Sequence, residues 1–301
     1  MPIGNPWVAG PIHHSPLLAF RLVRKAFLFL EGETMGEKVT VPHIVKKKCL
    51  REKITCLTAY DYSFARILDE AGIDILLVGD SLGCVFQGQP NTLTVTMEEI
   101  IYHTRAVARG RKHALVVGDM PFLSYQVSRE EAIRNAGRFL QEGGAEGVKL
   151  EGGLAMQDTI EAIVKIGIPV MGHVGLTPQS VHRFGGYRIQ GKNKEQREAV
   201  MRDALAVEDS GAFALVLEGI PLDLAKEISE RLTIPTIGIG AGPHCDGQVL
   251  VIHDMLGLFN DFTPKFVKQY ADIKEVMTGA VKSFIADVRE RKFPGEEHSF
   301  H

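Results

Sequence analysis

Cysteine is scarce in this chain of 301 residues: there are 4, namely Cys49, Cys56, Cys84 and Cys245. None forms a C-x-x-C pair. The spacings match neither a zinc ribbon nor a disulfide framework, so a reducing compartment with buried thiols is the simple reading. Aromatic residues are also few, at 7% with a single tryptophan, beside 31 glycines. That balance suits many tight strand-to-helix loops better than a β-sandwich. No charge of one sign dominates. The formal net charge is -3, which lacks the basic footprint of a nucleic-acid-binding protein. Long apolar runs are missing too. The nearest, Pro16 to Leu30, is interrupted by Arg21, Arg24 and Lys25. It can neither span a bilayer nor supply the ordered regions of a secretory signal. A cytoplasmic protein is therefore expected, with no membrane and no nucleic acid among its partners. What the chain does have is 45% hydrophobic residues, enough for a sizeable core and against intrinsic disorder.

Residues 1–34 stand apart. They hold the only tryptophan (Trp7), four prolines and a basic patch, and show no clean period. Glu31-Gly32-Glu33, just before Met35, demands purine-rich codons, as a translated ribosome-binding site would. The expectation is that Met35 is the natural start. Residues 1–34 are then an N-terminal extension outside the fold, and residues 35–301 a single catalytic domain. A partly ordered N-terminal arm is the alternative.

From Lys53 onward, short runs rich in Val, Ile and Leu alternate with segments of helical period. Eight runs read as buried parallel strands: 54–59, 75–78, 114–117, 147–150, 169–172, 214–217, 236–239 and 249–252. Between them, Phe64, Ile67, Leu68 and Ala71 fall at i, i+3, i+4 and i+7, and Leu224, Ile228 and Leu232 at i, i+4 and i+8. Gly72, Gly144, Gly167 and Gly211 stand where helices would stop. Eight strand-helix units over about 250 residues predict an α/β fold of the (β/α)8 TIM-barrel type. A further C-terminal helix carries Ile273, Val276, Met277, Ala280, Val281 and Phe284. A doubly wound sheet is the alternative, but Tyr60-Asp61-Tyr62-Ser63 is no glycine-rich phosphate turn.

Active sites of such barrels lie at the C-terminal strand ends. Reading the residue after each run gives Tyr60 and Asp61, then Asp80 and Ser81, Asp119, Glu151, His173, Glu218, the glycines of Gly238-Ile239-Gly240-Ala241-Gly242, and His253 with Asp254. Lys149 lies two residues before Glu151, on the same side of its strand. Asp80, Asp119, Glu151 and Glu218 would crowd one volume, at a cost that a cation or protonation relieves. Oxygen-only ligands favour a hard cation such as Mg²⁺. A helix-capping role is the alternative for each carboxylate. Lys149 would need pairing when buried, and could hold a substrate carboxylate or enolate oxygen. His173 could orient a substrate oxygen or be a satisfied core residue. The strand-seven glycines suit a phosphate loop, close approach of a flat ligand, or simply a turn. His182, Arg183, Arg188 and Lys192 fall in a long loop after strand five, a lid candidate.

Val78-Gly79-Asp80-Ser81-Leu82-Gly83, Val148-Lys149-Leu150-Glu151-Gly152-Gly153, Gly172-His173-Val174-Gly175-Leu176-Thr177-Pro178-Gln179 and the final Pro294-Gly295-Glu296-Glu297-His298-Ser299-Phe300-His301 resemble the ketopantoate hydroxymethyltransferase family. The resemblance runs from about Val39 to the C-terminus. Cys84 and Met120 are small departures, standing where the family often has methionine and leucine. The resemblance implies transfer of a hydroxymethyl group from 5,10-methylenetetrahydrofolate to 3-methyl-2-oxobutanoate, giving 2-dehydropantoate. It also implies Mg²⁺ on Asp80 and Asp119, with Glu151 bound directly or through water. Ser81 and Lys149 would hold the oxo acid, and Glu218 would be the base. The assembly it implies is a homo-oligomer, a decamer. A Mg²⁺-dependent lyase or mutase of the isocitrate lyase and phosphoenolpyruvate mutase type is the competing reading. Such lyases rely on a cysteine-bearing loop, and Gly152-Gly153-Leu154-Ala155 has no cysteine. A non-catalytic barrel is a third reading, but it has no need of four inward carboxylates and a lysine.

Overall fold

The computed structural model describes residues 37–258 and 264–300. Residues 1–34 and Met35 lie outside the described residues, and the barrel belongs to the unit Lys38–His301. Eight parallel strands close into a barrel in chain order. They are β1 (Ile54–Thr58), β2 (Ile75–Val78), β3 (Leu115–Asp119), β4 (Gly147–Glu151), β5 (Val170–Gly175), β6 (Ala214–Glu218), β7 (Thr236–Ile239) and β8 (Gly247–Leu250).

The helices are α1 (Val41–Leu50), α2 (Tyr62–Glu70), α3 (Leu82–Val85), α4 (Met97–Gly110), α5 (Arg129–Arg138) and α6 (Gln157–Lys165). They continue with α7 (Val181–Phe184), α8 (Lys194–Asp209), α9 (Leu222–Arg231), α10 (Ile252–Met255) and α11 (Ile273–Arg289). Several start on side chains that satisfy otherwise orphaned backbone N–H groups. Asp61 accepts from the N–H groups of Ser63 and Phe64, so this candidate site residue is a helix cap. Ser128 and Asn193 cap α5 and α8 in the same way.

Two expectations need correction. The eighth strand begins at Gly247 rather than Val249, and Ile252 onward is helix. Gly247 pairs with both Ile54 and Ile237, and a Cβ there would lie 2.5 Å from the Ile54 carbonyl oxygen. His253 and Asp254 are thus on α10, not at a strand end. The His253 ring packs near Tyr60 and Phe64, with centroids 5.4 and 6.1 Å away. The eight strand-helix units are also incomplete: no helix joins β7 to β8. Gly240 and Gly242 take positive φ there, and Pro243 follows, so the segment turns at once.

Side chains alternate along each strand between the barrel axis and the surrounding helices. The inward set, including Ile54, Cys56, Ile75, Leu77, Leu115, Val117, Met171, Val216 and Ile237, forms one apolar cluster. Ile44 of α1 joins it fully buried, and so closes the N-terminal end of the barrel. The outward set, including Leu76, Val116, Val148, Leu150, Leu215 and Leu217, belongs to a second cluster with the helices. Gly118 of β3 lets the Phe139 ring approach so closely that a Cβ would sit 2.2 Å from it. Among the described residues, helix α11 differs from the rest: none of its residues is buried, and Val276, Met277, Val281 and Phe284 are exposed.

Candidate active site

Towards the C-terminal end, the inward rows change from apolar to polar. Val117 is followed by Asp119, Met171 by His173 and Val216 by Glu218, each two residues on. Strand β4 departs furthest from the apolar pattern, since its inward positions are Gly147, Lys149 and Glu151. The register sets Asp119 beside Lys149 and Glu151 beside His173. Asp80, Asp119, Lys149, Glu151 and His173 are all buried, and Glu218 is partly exposed.

The Lys149 ammonium donates to Asp119 Oδ1 at 2.7 Å. Burial pulls its pKa down, but Asp119, Glu151 and Asp80 outweigh that and hold it above an ordinary lysine. Asp80 lies just beyond β2, and its backbone N–H donates to Asp119 Oδ2 at 3.3 Å. Burial, reinforced by the charge of Asp119, pushes the Asp80 carboxyl up to about 7. Ser81 Oγ lies 2.9 Å from the hydroxyl of Tyr60, which places Tyr60, a candidate from the end of β1, in a supporting role.

His173 sits between two carboxylates. Its Nδ1 is 3.6 Å from Glu151 Oε1 and its Nε2 is 3.2 Å from Glu218 Oε2. Neither contact is aligned as a hydrogen bond, so both ring nitrogens and Glu151 Oε1 are buried without a hydrogen-bond partner among the described residues. Burial and the nearby Lys149 charge keep the imidazole well below its usual pKa, hence neutral. Burial pushes Glu151 well above the usual carboxylate range; Lys149 opposes that shift, and Asp80, Asp119 and Glu218 add to it. Burial likewise lifts Glu218 to about 8, with Lys149 opposing and Asp119 adding.

Gln179 and Tyr125 also belong to the site, although no strand-end position singles them out. Gln179 Nε2 donates to Asp80 Oδ2 and to the Met120 carbonyl, both at 3.0 Å, while its backbone N–H donates to Glu151 Oε2 at 3.0 Å. Its Oε1 accepts from the Tyr125 hydroxyl at 2.7 Å. One buried amide thus ties together the ends of β2, β3 and β4. The sequence signals for it are its closeness to the end of β5 and its place at the end of the motif Gly172 to Gln179 that carries the family resemblance.

The strand-seven glycines are occupied by their own chain. A Cβ on Gly240 would meet the Phe266 ring at 2.8 Å, and one on Gly242 would meet Leu222 at 2.6 Å. They serve the turn and these close contacts.

Among the described residues, no group of three or more His, Cys, Asp or Glu side chains stands ready to hold a metal. The expected trio is divided, since Lys149 takes Asp119 Oδ1 and Gln179 takes Asp80 Oδ2. Mg²⁺, however, commonly binds through one or two carboxylates and completes its shell with substrate and water oxygens. Asp80 and Asp119 fit that pattern. They are hard donors, buried next to each other, and Asp119 disfavours the charge on Asp80.

A closed parallel barrel with convergent carboxylates, a buried ammonium and a neutral histidine at its C-terminal mouth defines an α/β-barrel enzyme. The chain matches the family model of ketopantoate hydroxymethyltransferase over residues 38–296, and it belongs to that family. It is 62% identical over 267 residues to 3-methyl-2-oxobutanoate hydroxymethyltransferase of Pelobacter propionicus, covering 89% of this chain and 99% of that one. The same enzyme of Geobacter sulfurreducens is 60% identical over 266 residues, covering 88% of this chain and 100% of its own. Among solved structures, 2,3-dimethylmalate lyase aligns with a TM-score of 0.56 at 15% identity, covering 85% of this chain and 89% of that chain. A phosphonopyruvate hydrolase complex with oxalate and Mg²⁺ aligns with a TM-score of 0.56 at 12% identity, covering 86% and 92%. The likeness to these two is one of fold.

Proposed function

We propose that the chain transfers a hydroxymethyl group from 5,10-methylenetetrahydrofolate to C3 of 3-methyl-2-oxobutanoate, giving 2-dehydropantoate for pantothenate synthesis. The observation that carries this reading is the arrangement of a buried Lys149 ammonium and a raised-pKa Glu218 around one barrel mouth, in a member of this family. Asp80 and Asp119 would hold Mg²⁺, with Glu151 joining directly or through water. When bound, the ion would act as a Lewis acid on the oxo acid.

The chain's own residues divide the remaining work. Ser81 and Lys149 hold the oxo acid, and the Lys149 ammonium faces the negative charge that develops on the 2-oxo oxygen. Glu218 removes the C3 proton. A carboxylate with a pKa of about 8 is far more basic than an ordinary glutamate and is matched to neutral pH. Neutral His173, its ring nitrogens without hydrogen-bond partners among the described residues, is free to orient a substrate oxygen without adding charge. Gln179 and Tyr125 hold Asp80 and Glu151 in place.

Two further parts belong to this reading. The unpartnered apolar stripe of α11 supports a homo-oligomer, with a decamer as the expected state. The family match begins at residue 38, which supports a catalytic domain of residues 35–301 without the 1–34 extension. No helix among the described residues is long and apolar enough to cross a membrane, in keeping with a cytoplasmic enzyme.

The test is turnover of purified protein with 3-methyl-2-oxobutanoate, methylenetetrahydrofolate and Mg²⁺, with and without chelator. Turnover abolished by chelator and restored by metal is expected. Asp80→Ala should weaken Mg²⁺ binding by at least about tenfold in calorimetry, having lost one hard anionic ligand. Wild-type affinity in that variant would reject the site.

A further inference from the structure

Between β5 and α8 the chain builds a pocket that none of these roles uses. Helix α7 ends at Gly185, and the backbone turns through Gly185 and Gly186, both at positive φ. Arg183, Phe184, Tyr187, Arg188, Lys192 and Gln196 are among its lining residues. Three of these are cations, and no carboxylate lines the pocket. Among the described residues, no ion pair joins Arg183, Arg188 or Lys192 to an acidic group, whereas Arg197 in the following helix pairs with Asp223.

Three unpaired cations in one pocket repel one another and together favour an anion. The 16-residue helix α8 starts at the same place, so its dipole adds positive potential. Tyr187 is 52% exposed, so it has a surface free for a ligand. The pocket also adjoins the barrel mouth: the backbone N–H of Gln190, in its lining, donates to the carbonyl of Gly219, the residue after Glu218, at 2.9 Å. A ligand in this pocket can therefore extend towards the catalytic carboxylates.

We propose that this pocket binds the glutamate tail of the folate co-substrate, with Arg183, Arg188 and Lys192 pairing with its carboxylates and Tyr187 facing its aminobenzoyl ring. The inference rests on the proposed folate chemistry and deepens it. A folate joins a flat aromatic body to one or more γ-linked glutamates, and this pocket sets an aromatic face beside three cations. Each added glutamate brings another carboxylate, so longer tails should bind more tightly.

The experiment compares KM for methylenetetrahydrofolate carrying one and three glutamates, using the full-length chain with Mg²⁺. Exposed ion pairs each contribute modestly, so the triglutamate form should show a KM about tenfold lower in the wild type. In Arg183→Gln/Arg188→Gln the two KM values should converge to within about twofold, as those pairs are lost. Arg188→Lys keeps the charge and should keep most of the preference, which separates charge recognition from damage to the loop. Equal KM values in the wild type, or a preference that survives the double substitution, overturn the tail site. If the wild type turns over neither folate form yet still exchanges the C3 proton of the oxo acid, the folate reading itself fails and takes this inference with it.

Discussion

Carboxylates occupy both ends of this barrel, but in opposite conditions. At the N-terminal end, Asp74 accepts from the Thr55 N–H at 2.8 Å, the Thr55 hydroxyl at 2.9 Å and Lys47 at 2.5 Å. Asp246 repeats the pattern across β7 and β8, accepting from the Thr236 N–H, the Thr236 hydroxyl and Lys48 at 2.8, 2.9 and 2.8 Å. Asp69 accepts from three backbone N–H groups, which hold its pKa below the usual range against the pull of burial. At the C-terminal end, Glu151 Oε1 and both His173 nitrogens lack hydrogen-bond partners among the described residues, and burial raises Asp80, Glu151 and Glu218. Unsatisfied buried polar groups cost about 1–3 kcal/mol each. One end therefore stabilises the fold, while the other carries groups whose partners, on the proposed function, arrive with substrate and metal.

The largest effect should come from making the charged end apolar. Asp119→Leu/Lys149→Met removes a buried ion pair as a unit, a change that is commonly neutral or stabilising. Turnover should fall by at least about 10³-fold while the melting temperature holds or rises, because the charge proposed to face the oxyanion and one of the proposed metal ligands both go. A melting temperature that collapses would show that the pair supports the fold, and would dissolve the contrast between the two ends.

The next effect concerns pH. Glu218 acts as a base only when deprotonated, so its rate should climb as pH rises towards its raised pKa of about 8. With that pKa the C3 exchange rate should rise nearly tenfold between pH 6 and pH 7, reach half its maximum near pH 8 and level off above about pH 9; a bound dication shifts the whole profile to lower pH and makes the pH 6–7 rise smaller. A rate that is flat from pH 5 to pH 9 would contradict a buried carboxylate base.

The smallest effect on activity should come from the other end. Asp74→Ala leaves Thr55 and Lys47 without their acceptor and should cost about 2–3 kcal/mol of stability, measured by denaturant unfolding. In the folded fraction, kcat/KM should stay within about twofold of wild type, since only the N-terminal end has changed. A large kcat/KM loss without a stability loss would reverse the assignment of the two ends.

Legibility in the sequence divides along similar lines. Asp80, Asp119, Glu151, His173 and Glu218 are readable because each follows or ends an apolar run, and strand parity then aims them at one volume. Asp61 has the same position after β1, but its neighbours Ser63 and Phe64 open a helix, so capping prevails. The eighth strand is displaced from its expected place because Val249-Leu250-Val251-Ile252 is the more apolar run, whereas pairing depends on the backbone access that Gly247 gives to β1 and β7. The missing helix after β7 is signalled by Gly240, Gly242 and Pro243, which the regular alternation elsewhere outweighs. Gln179 is not readable as a hub. It is a single polar residue in a one-turn 3-10 helix, and its five partners, Tyr125, Gln126, Glu151, Asp80 and Met120, come from distant parts of the chain.

Whether the C-terminal end of the barrel is poised for proton removal by Glu218 is tested most directly by deuterium wash-in at C3 of 3-methyl-2-oxobutanoate. The measurement is made by NMR at saturating metal and oxo acid, without folate, on wild type and Glu218→Gln. The substitution keeps the shape and removes the basic oxygen. Exchange should slow by at least about 10²-fold, with Mg²⁺ affinity little changed. Exchange as fast as wild type in Glu218→Gln would contradict the role given to Glu218 and move that of base to His173.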